Sequence, residues 1–319
     1  MQMNITEKYY IVSAIVSVYN CERFIRGCLE DLEAQTIADR VEIICVNSGS
    51  QQNEEAIIKE FQEKYDNIVY IKTTERETLY RAWNRGIKIA RGKYITNANS
   101  DDRHRKDAFE IMAVELDKNS DVGLVYADTI YTQNKNERFG NHTVDRYVKW
   151  PEPDPYVFLA RCGVGPQPMW RKSMHDKIGY FDENFVVAGD YEWWLRALGV
   201  YKFKHINEYL GLFLNHSESI EATNFHVGVM EMFNIVNKYI ILVPIRKRFF
   251  IKCSQNKRLN NLGNYYLNKR MFDIAKTIFF MSITYNRFYL KNYFWYAKYY
   301  LLYRKLNRQS IKKQINRVT

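Results

Sequence analysis

The sequence predicts an α/β chain: a mostly parallel sheet with helices on both faces, then a basic, aromatic-rich helical region. Apolar runs of strand length alternate with stretches of helical periodicity through the N-terminal part, the pattern of repeated βαβ units. Three of those runs end in polar clusters, Tyr19-Asn20, Asn47-Ser48 and Asn99 to Asp102. In parallel α/β sheets ligands bind beyond the carboxyl ends of the strands, which is where these clusters fall. The charge also changes sign along the chain. Residues 1–237 carry 28 basic and 35 acidic residues, a net of −7, whereas 238–319 carry 19 Lys and Arg against one acid, Asp273, a net of +18. Such asymmetry points to two units, expected at 1–225 and 226–319.

Each element follows from its pattern. Ile11 to Val18 is a continuous apolar run, read as a buried strand. Phe24, Ile25, Cys28, Leu29 and Leu32 then share one helical face. Val41 to Val46 is a second strand, and Ile57, Ile58, Phe61 and Tyr65 mark the helix after it. Ile68 to Ile71 is a third strand. Leu79, Ala82, Trp83, Gly86, Ile87 and Ala90 stripe a third helix, followed by a strand from Tyr94 to Ala98 and another from Val122 to Tyr131. Residues 161–172 hold two glycines and two prolines and are expected to be a loop. A helix is expected over Tyr191 to Leu198, with Asp190 placed to cap it.

Composition narrows the function classes. At 319 residues, 46% hydrophobic and 15% aromatic, the chain can bury a sizeable core and is not a disordered segment. No apolar run is long enough to span a bilayer, and no secretory leader pattern is present. The five cysteines are scattered, with no CxxC, so reduced thiols and a cytoplasmic location are expected. Neither GxGxxG nor GxxxxGK[ST] occurs, which disfavours a dinucleotide fold and a P-loop. Phosphates would then be handled by side chains and a metal. Two adjacent carboxylates, Asp101 and Asp102, end the strand from Tyr94, and carboxylates there are costly unless a cation or ligand takes up their charge.

A series of segments, in order along the chain, resembles the motifs of the inverting family 2 glycosyltransferases with the GT-A fold. Val16-Ser17-Val18-Tyr19-Asn20 is similar to the family's opening PVYN, and Glu42 to Ser50 to its EIIVVDDGS. Arg81-Ala82-Trp83-Asn84-Arg85-Gly86-Ile87 followed by Gly92-Lys93-Tyr94-Ile95 resembles ARNxGI…GEYI. Asn99-Ser100-Asp101-Asp102 falls at the Asp-x-Asp-Asp motif. Gly179 to Glu183 and Gly189 to Arg196 resemble GxFDE…EDxxLWLR. The match covers roughly residues 10–220.

The resemblance implies transfer of a sugar from a nucleotide-sugar, most simply a UDP-sugar, to a glycan or lipid-linked acceptor in surface polysaccharide synthesis. It implies Asp190 as the general base that deprotonates the acceptor, and a divalent cation, Mn²⁺ or Mg²⁺, on Asp101 with His216 as a further ligand. It assigns Val18, Tyr19, Asn47, Ser48, Arg81, Asn84, Asn99 and Ser100 to the donor. In the resembling fold the 161–172 segment faces the acceptor, so Gln167 and Trp170 are candidate acceptor contacts, with Trp193 a third. Ser17 stands for the proline of PVYN, and four acids of the family pattern are replaced: Asn47 and Ser48 stand for two acids, Asn99 for the first metal-motif acid, and Gly189 for the acid before Asp190. These departures motivate a second reading, a catalytically inactive nucleotide-sugar-binding or scaffold subunit of a synthesis complex.

The C-terminal stretch lies outside the resemblance. Leu262, Gly263, Tyr266, Ala275, Phe279 and Ser282 have the spacing of one tetratricopeptide-like helical hairpin. Basic and aromatic groups are mixed over 246–252 and 294–305, as in interfacial helices, and predict peripheral contact with an anionic membrane at its inner face. No recognised nucleic-acid motif is present, so nucleic acid is not an expected partner.

Overall fold

The structure is a computed structural model and describes residues 9–240, 244–269, 271–287 and 289–315. The chain divides into two compact units. The first runs to Phe158 and from Cys162 to Asn224; the second runs from Phe225 onward and includes Leu159–Arg161.

The first unit is built on one mixed sheet. In chain order its elements are β1 (Val12–Val18), α1 (Glu22–Glu33), β2 (Val41–Ser48), α2 (Glu54–Gln62), β3 (Ile68–Thr73), α3 (Leu79–Ile89), β4 (Tyr94–Asn97), β5 (Arg103–His104), α4 (Ala108–Lys118), β6 (Val122–Thr132), β7 (Arg146–Val148), α5 (Pro155–Ala160), β8 (Met169–Arg171), α6 (Met174–Ile178), α7 (Gly189–Leu198), β9 (Lys202–Leu214) and α8 (Ile220–Thr223). The strand order is β3-β2-β1-β4-β8-β6-β9-β5, with β7 on β6. The β3-β2-β1-β4 part is parallel, with Val12 opposite both Val41 and Tyr94. β6 and β9 are also parallel, whereas β8, β5 and β7 join antiparallel. The core holds β1 and β2 residues together with Phe24, Ile25, Cys28, Leu29 and Leu32, the face of α1 that the sequence periodicity marks.

Three expectations are corrected. Tyr65 lies beyond the end of α2 and is exposed, because the helix stops at Gln62. The 161–172 segment is not wholly loop: Met169–Arg171 form β8, paired to both β4 and β6 in the middle of the sheet. Pro166 and Pro168 precede this strand, and their carbonyls accept hydrogen bonds from Asn97 Nδ2 and Thr96 Oγ1, both at 2.8 Å. A proline before a strand removes no ladder donor, so the segment can enter the sheet. Finally, α7 begins at Gly189 after Ala188, so Asp190 sits within the first turn rather than capping it.

The central position of β8 decides the fate of its tryptophan. Trp170 is 1% exposed and packs among His175, Phe181, Trp193 and Trp194, with its Nε1 donating to His175 Nε2 at 2.9 Å. Trp193 is fully buried and donates to the Gly179 carbonyl at 2.8 Å. Rings with no free face cannot stack on a sugar, so both are core residues and not acceptor contacts. Trp170→Ala is expected to destabilise the protein by about 3–5 kcal/mol, the usual cost of emptying so large a buried site. A urea midpoint unchanged within error would contradict this packing role.

The second unit is helical: α9 (Phe225–Ile240), α10 (Ile245–Asn268), α11 (Phe272–Tyr285) and α12 (Lys291–Ile315). The α10–α11 hairpin closes tightly at Gly263, where an added Cβ would lie 2.5 Å from the Phe279 ring. Leu262, Ala275 and Phe279 are buried between the helices. A buried amide network fixes their register to α12: Asn256 donates to Ser282 Oγ at 2.8 Å, and Ser282 Oγ and Asn260 both donate to Asn292 Oδ1, at 2.9 and 2.8 Å. Within the basic run at 246–252, the side chains of Arg246, Lys247, Phe249 and Phe250 lie outside the described ones.

Candidate active site

Four side-chain groups lie at the ends of β4, β1 and β2 and at the starts of α3 and α7. The loop after β4 carries the first. Asp102 is 2% exposed and accepts from the Leu214 amide at 3.1 Å and from Asn99 Nδ2 at 3.0 Å. Burial, and then the Asp101 charge, push its carboxyl well above the ordinary range. Arg103, also buried, donates from Nη1 to the carbonyls of Ser100 (3.1 Å) and Asp102 (2.7 Å). Its guanidinium lies against Gly27 of α1, where an added Cβ would come within 2.4 Å of Nη2. The turn is therefore held from beneath by Arg103 and tied to the end of β9 by Asp102.

That tie delivers His216. Two residues past Leu214, its Nε2 lies 3.0 Å from Asp101 Oδ2, joining side chains 115 positions apart. The ring is mostly buried against Phe24, and its Nδ1 is buried without a hydrogen-bond partner. Among the described residues no group of three or more His, Cys, Asp or Glu converges; at this turn a divalent cation would have the Asp101 carboxylate and the His216 imidazole available from the protein. Such a pair would suit a Mn²⁺ or Mg²⁺ that also takes phosphate oxygens and water.

The ends of β1 and β2 form the second group. Tyr19 is half-buried with the Arg76 guanidinium 4.3 Å from its ring centroid. Val18 is fully buried and lines the core. Asn47 is 1% exposed; its amide donates to Tyr70 Oη at 3.0 Å and its carbonyl accepts from the Ser50 amide at 2.9 Å. Ser48 is likewise buried. At Asn47 the amide substituting for an acid thus serves the strand end itself. Gly49 follows with a φ of +67°, and an added Cβ would meet the Glu75 backbone at 2.8 Å.

The start of α3 is the third group and mounts the fourth. Asn84 is 2% exposed and binds residue 181 on both sides, donating to the Phe181 carbonyl at 2.8 Å and accepting from its amide at 3.1 Å. Its second amide proton goes to Glu183 Oε1 at 3.0 Å. Asn84 is thus a structural clamp rather than an open donor contact. Thr78 caps the helix and also donates to the Glu183 carbonyl at 3.1 Å. Arg81 stays exposed beside Glu77 and Glu183, at 3.4 and 3.8 Å. Gln167 is buried, with its amide donating to the Arg103 carbonyl at 3.1 Å and its Oε1 beside Gly211 without a hydrogen-bond partner.

Tyr80, which the sequence pattern does not single out, holds the key carboxylate. Its hydroxyl lies 2.5 Å from the Val187 carbonyl and 3.2 Å from Asp190 Oδ1. Asp190 Oδ1 also accepts from the Tyr191 amide at 2.7 Å. Burial pushes the Asp190 carboxyl up to about 6, while the Tyr191 and Tyr80 hydrogen bonds restrain the rise. Gly189 explains the geometry: a Cβ there would lie 2.7 Å from the Tyr80 ring. The position where the resembling family carries an acid is therefore filled by the Tyr80 ring, and the missing side chain is the one signal in the sequence that could have pointed to it.

A mixed sheet of this order, with an acidic turn after β4 and a carboxylate at the start of α7, defines a glycosyltransferase of the GT-A type. The Glycosyl transferase family 2 model matches residues 13–179, and the chain belongs to that family. Among its relatives, the chondroitin synthase of Escherichia coli is 27% identical over 260 residues, covering 81% of this chain but only 36% of the synthase. Staphylococcus aureus TarS 1–349 in complex with UDP-GlcNAc superposes with a TM-score of 0.57 at 15% identity, covering 92% of each chain. A mannosyltransferase of Pyrobaculum calidifontis in complex with GDP-Man and Mn²⁺ gives 0.55 at 14%, covering 91% of this chain and 86% of that one. These two likenesses concern the fold.

Proposed function

We propose that the protein is an inverting, metal-dependent glycosyltransferase that moves a sugar from a UDP-sugar to a glycan or lipid-linked acceptor in surface polysaccharide synthesis. The observation that carries this reading is the setting of Asp190: a half-buried carboxylate at the start of α7, anchored by the Tyr80 hydroxyl and the Tyr191 amide, with burial pushing it up to about 6. A base poised near neutrality is what acceptor deprotonation needs. The acceptor oxygen forms its bond to the anomeric carbon while its proton passes to Asp190. The bond from that carbon to the diphosphate breaks, and the electron pair leaves with the nucleoside diphosphate. Asp101 and His216 would hold the cation. When bound, such an ion offsets the charge of the leaving diphosphate. Tyr19, Ser48 and the exposed Arg81, with Asn99 and Ser100 of the acidic turn, remain the residues assigned to the donor. The UDP-GlcNAc of TarS, the Mn²⁺ of the mannosyltransferase and the polymer named for the chondroitin synthase support the donor, the metal and the acceptor class respectively.

The test is release of nucleoside diphosphate from a panel of UDP-, GDP- and dTDP-sugars with Mn²⁺, followed by assignment of the product anomer by NMR. An α-linked donor giving a β-linked product supports inversion; retention of configuration overturns it. A chain that binds nucleotide but turns over no donor would favour the scaffold-subunit reading.

Tyr80 makes a finer prediction. Its hydrogen bond restrains the Asp190 pKa, so Tyr80→Phe is expected to raise it further and move the acidic limb of the kcat/KM profile to higher pH. The plateau rate above that limb should change little. A lowered plateau with an unmoved limb would contradict the positioning role.

A further inference from the structure

Among the described residues, the helix α12 has two apolar faces, and only one is covered within the second unit. Tyr299 packs against Leu267, Ala275 and Phe279, with Trp295 and Tyr296 beside it, and Asn292 is buried in the amide network. The opposite side is open. Leu290, Phe294 and Leu301 are 80%, 64% and 68% exposed, and Tyr293 and Tyr300 nearly half. At about 100° per residue, positions 294 and 301 fall within roughly 20° of one another, with 293 and 300 along one border and Leu290 in the turn just before the helix. The exposed Lys291, Lys298 and Lys305 run along the other border at successive seven-residue steps. A covered face opposite an open row of leucine and phenylalanine, edged by lysines, has no structural need within the unit.

We propose that this open face of α12 docks on an anionic lipid bilayer, with Leu290, Phe294 and Leu301 entering the headgroup boundary and the lysine row meeting acidic headgroups. Interfacial helices bind by this combination of buried apolar area and attraction to anionic lipid. Charge selects the partner. The segment from Lys238 onward carries a net of +18, which attracts an anionic surface and opposes pairing with a second copy. Tyrosines at the border suit the headgroup level, where one end of the ring is apolar and the other wet. No described helix is long and apolar enough to cross a membrane, so the contact lies in the interface plane. The proposal is independent of the donor chemistry. It does fit an acceptor that is lipid-linked.

The test is cosedimentation of the full chain with vesicles of phosphatidylcholine alone or with about one-third phosphatidylglycerol. Binding to the anionic vesicles is expected to be strong and to weaken as salt rises. The double variant Phe294→Asp/Leu301→Asp alters only exposed side chains and is expected to lose at least about tenfold in binding. The triple variant K291E/K298E/K305E should lose binding to anionic vesicles and keep the residual binding to neutral ones. Unchanged circular dichroism in both variants checks that the unit still folds. Equal binding of the wild type to both vesicle types overturns the proposal. So does wild-type vesicle binding by the Asp double variant, or a wild-type dimer that this variant dissociates without any change in vesicle binding. Binding of a single-stranded oligonucleotide with no vesicle binding would assign the face to nucleic acid instead.

Discussion

Asp190→Asn is expected to lower turnover by about 10²–10⁴-fold, the usual contribution of a positioned general base, while leaving nucleotide affinity unchanged. Asparagine keeps an oxygen for the Tyr191 amide and the Tyr80 hydroxyl but cannot take the acceptor proton. The wild-type rate should rise with pH through about 6, where Asp190 loses its proton, and level off above. A stability signature accompanies the loss. Burial raises the folded-state carboxyl above its unfolded value, so the folded state binds the extra proton. The stability this supplies is present at low pH and is lost as pH rises through about 6. Asparagine carries no such pH-dependent loss. The variant's melting temperature relative to wild type should therefore be higher at pH 8 than at pH 5. An equal difference at both values would mean that Asp190 is not a desolvated carboxylate.

Asp101→Ala is expected to lower turnover by about 10²–10³-fold, the scale of removing one group that stabilises charge in the transition state. Its effect differs in kind from that of Asp190→Asn. Without Asp101 the imidazole of His216 loses its 3.0 Å partner, and a cation is left with His216 alone from the protein. The amount of Mn²⁺ needed for half-maximal rate should rise steeply. His216→Ala should act in the same direction, and the two changes should be less than additive because they share one site. Full activity of Asp101→Ala at the wild-type metal concentration would remove the acidic turn from the donor site.

Much of the parallel half was legible because buried parallel strands and amphipathic helices write their periods directly into sequence. The α1 face from Phe24 to Leu32 and the run from Val12 to Val18 are of this kind. β8 was not legible: three residues between prolines and a helix carry no period, and only pairing with β4 and β6 makes them a strand. The same limit applies to Trp170 and Trp193. An aromatic residue reads alike whether it faces a ligand or a core, and here the tertiary packing buries both. Asn84 shows a related ambiguity, since a motif position reports that an amide is needed but not which partner takes its hydrogen bonds. Tyr80 was hidden in another way. The helical stripe runs through Leu79, yet the buried ring is its neighbour, because the space left at Gly189 draws Tyr80 inward. Asp101 and His216, 115 positions apart, were expected at one site and stand within hydrogen-bonding distance.

The most direct test of the account is thermal shift of the full chain with UDP, GDP, CDP, dTDP and ADP, each with and without Mn²⁺, for wild type and Asp101→Ala. UDP is expected to raise the wild-type melting temperature only when Mn²⁺ is present, and the shift is expected to disappear in the variant. A nucleotide-induced shift that needs no metal, or one that survives in Asp101→Ala, would contradict it.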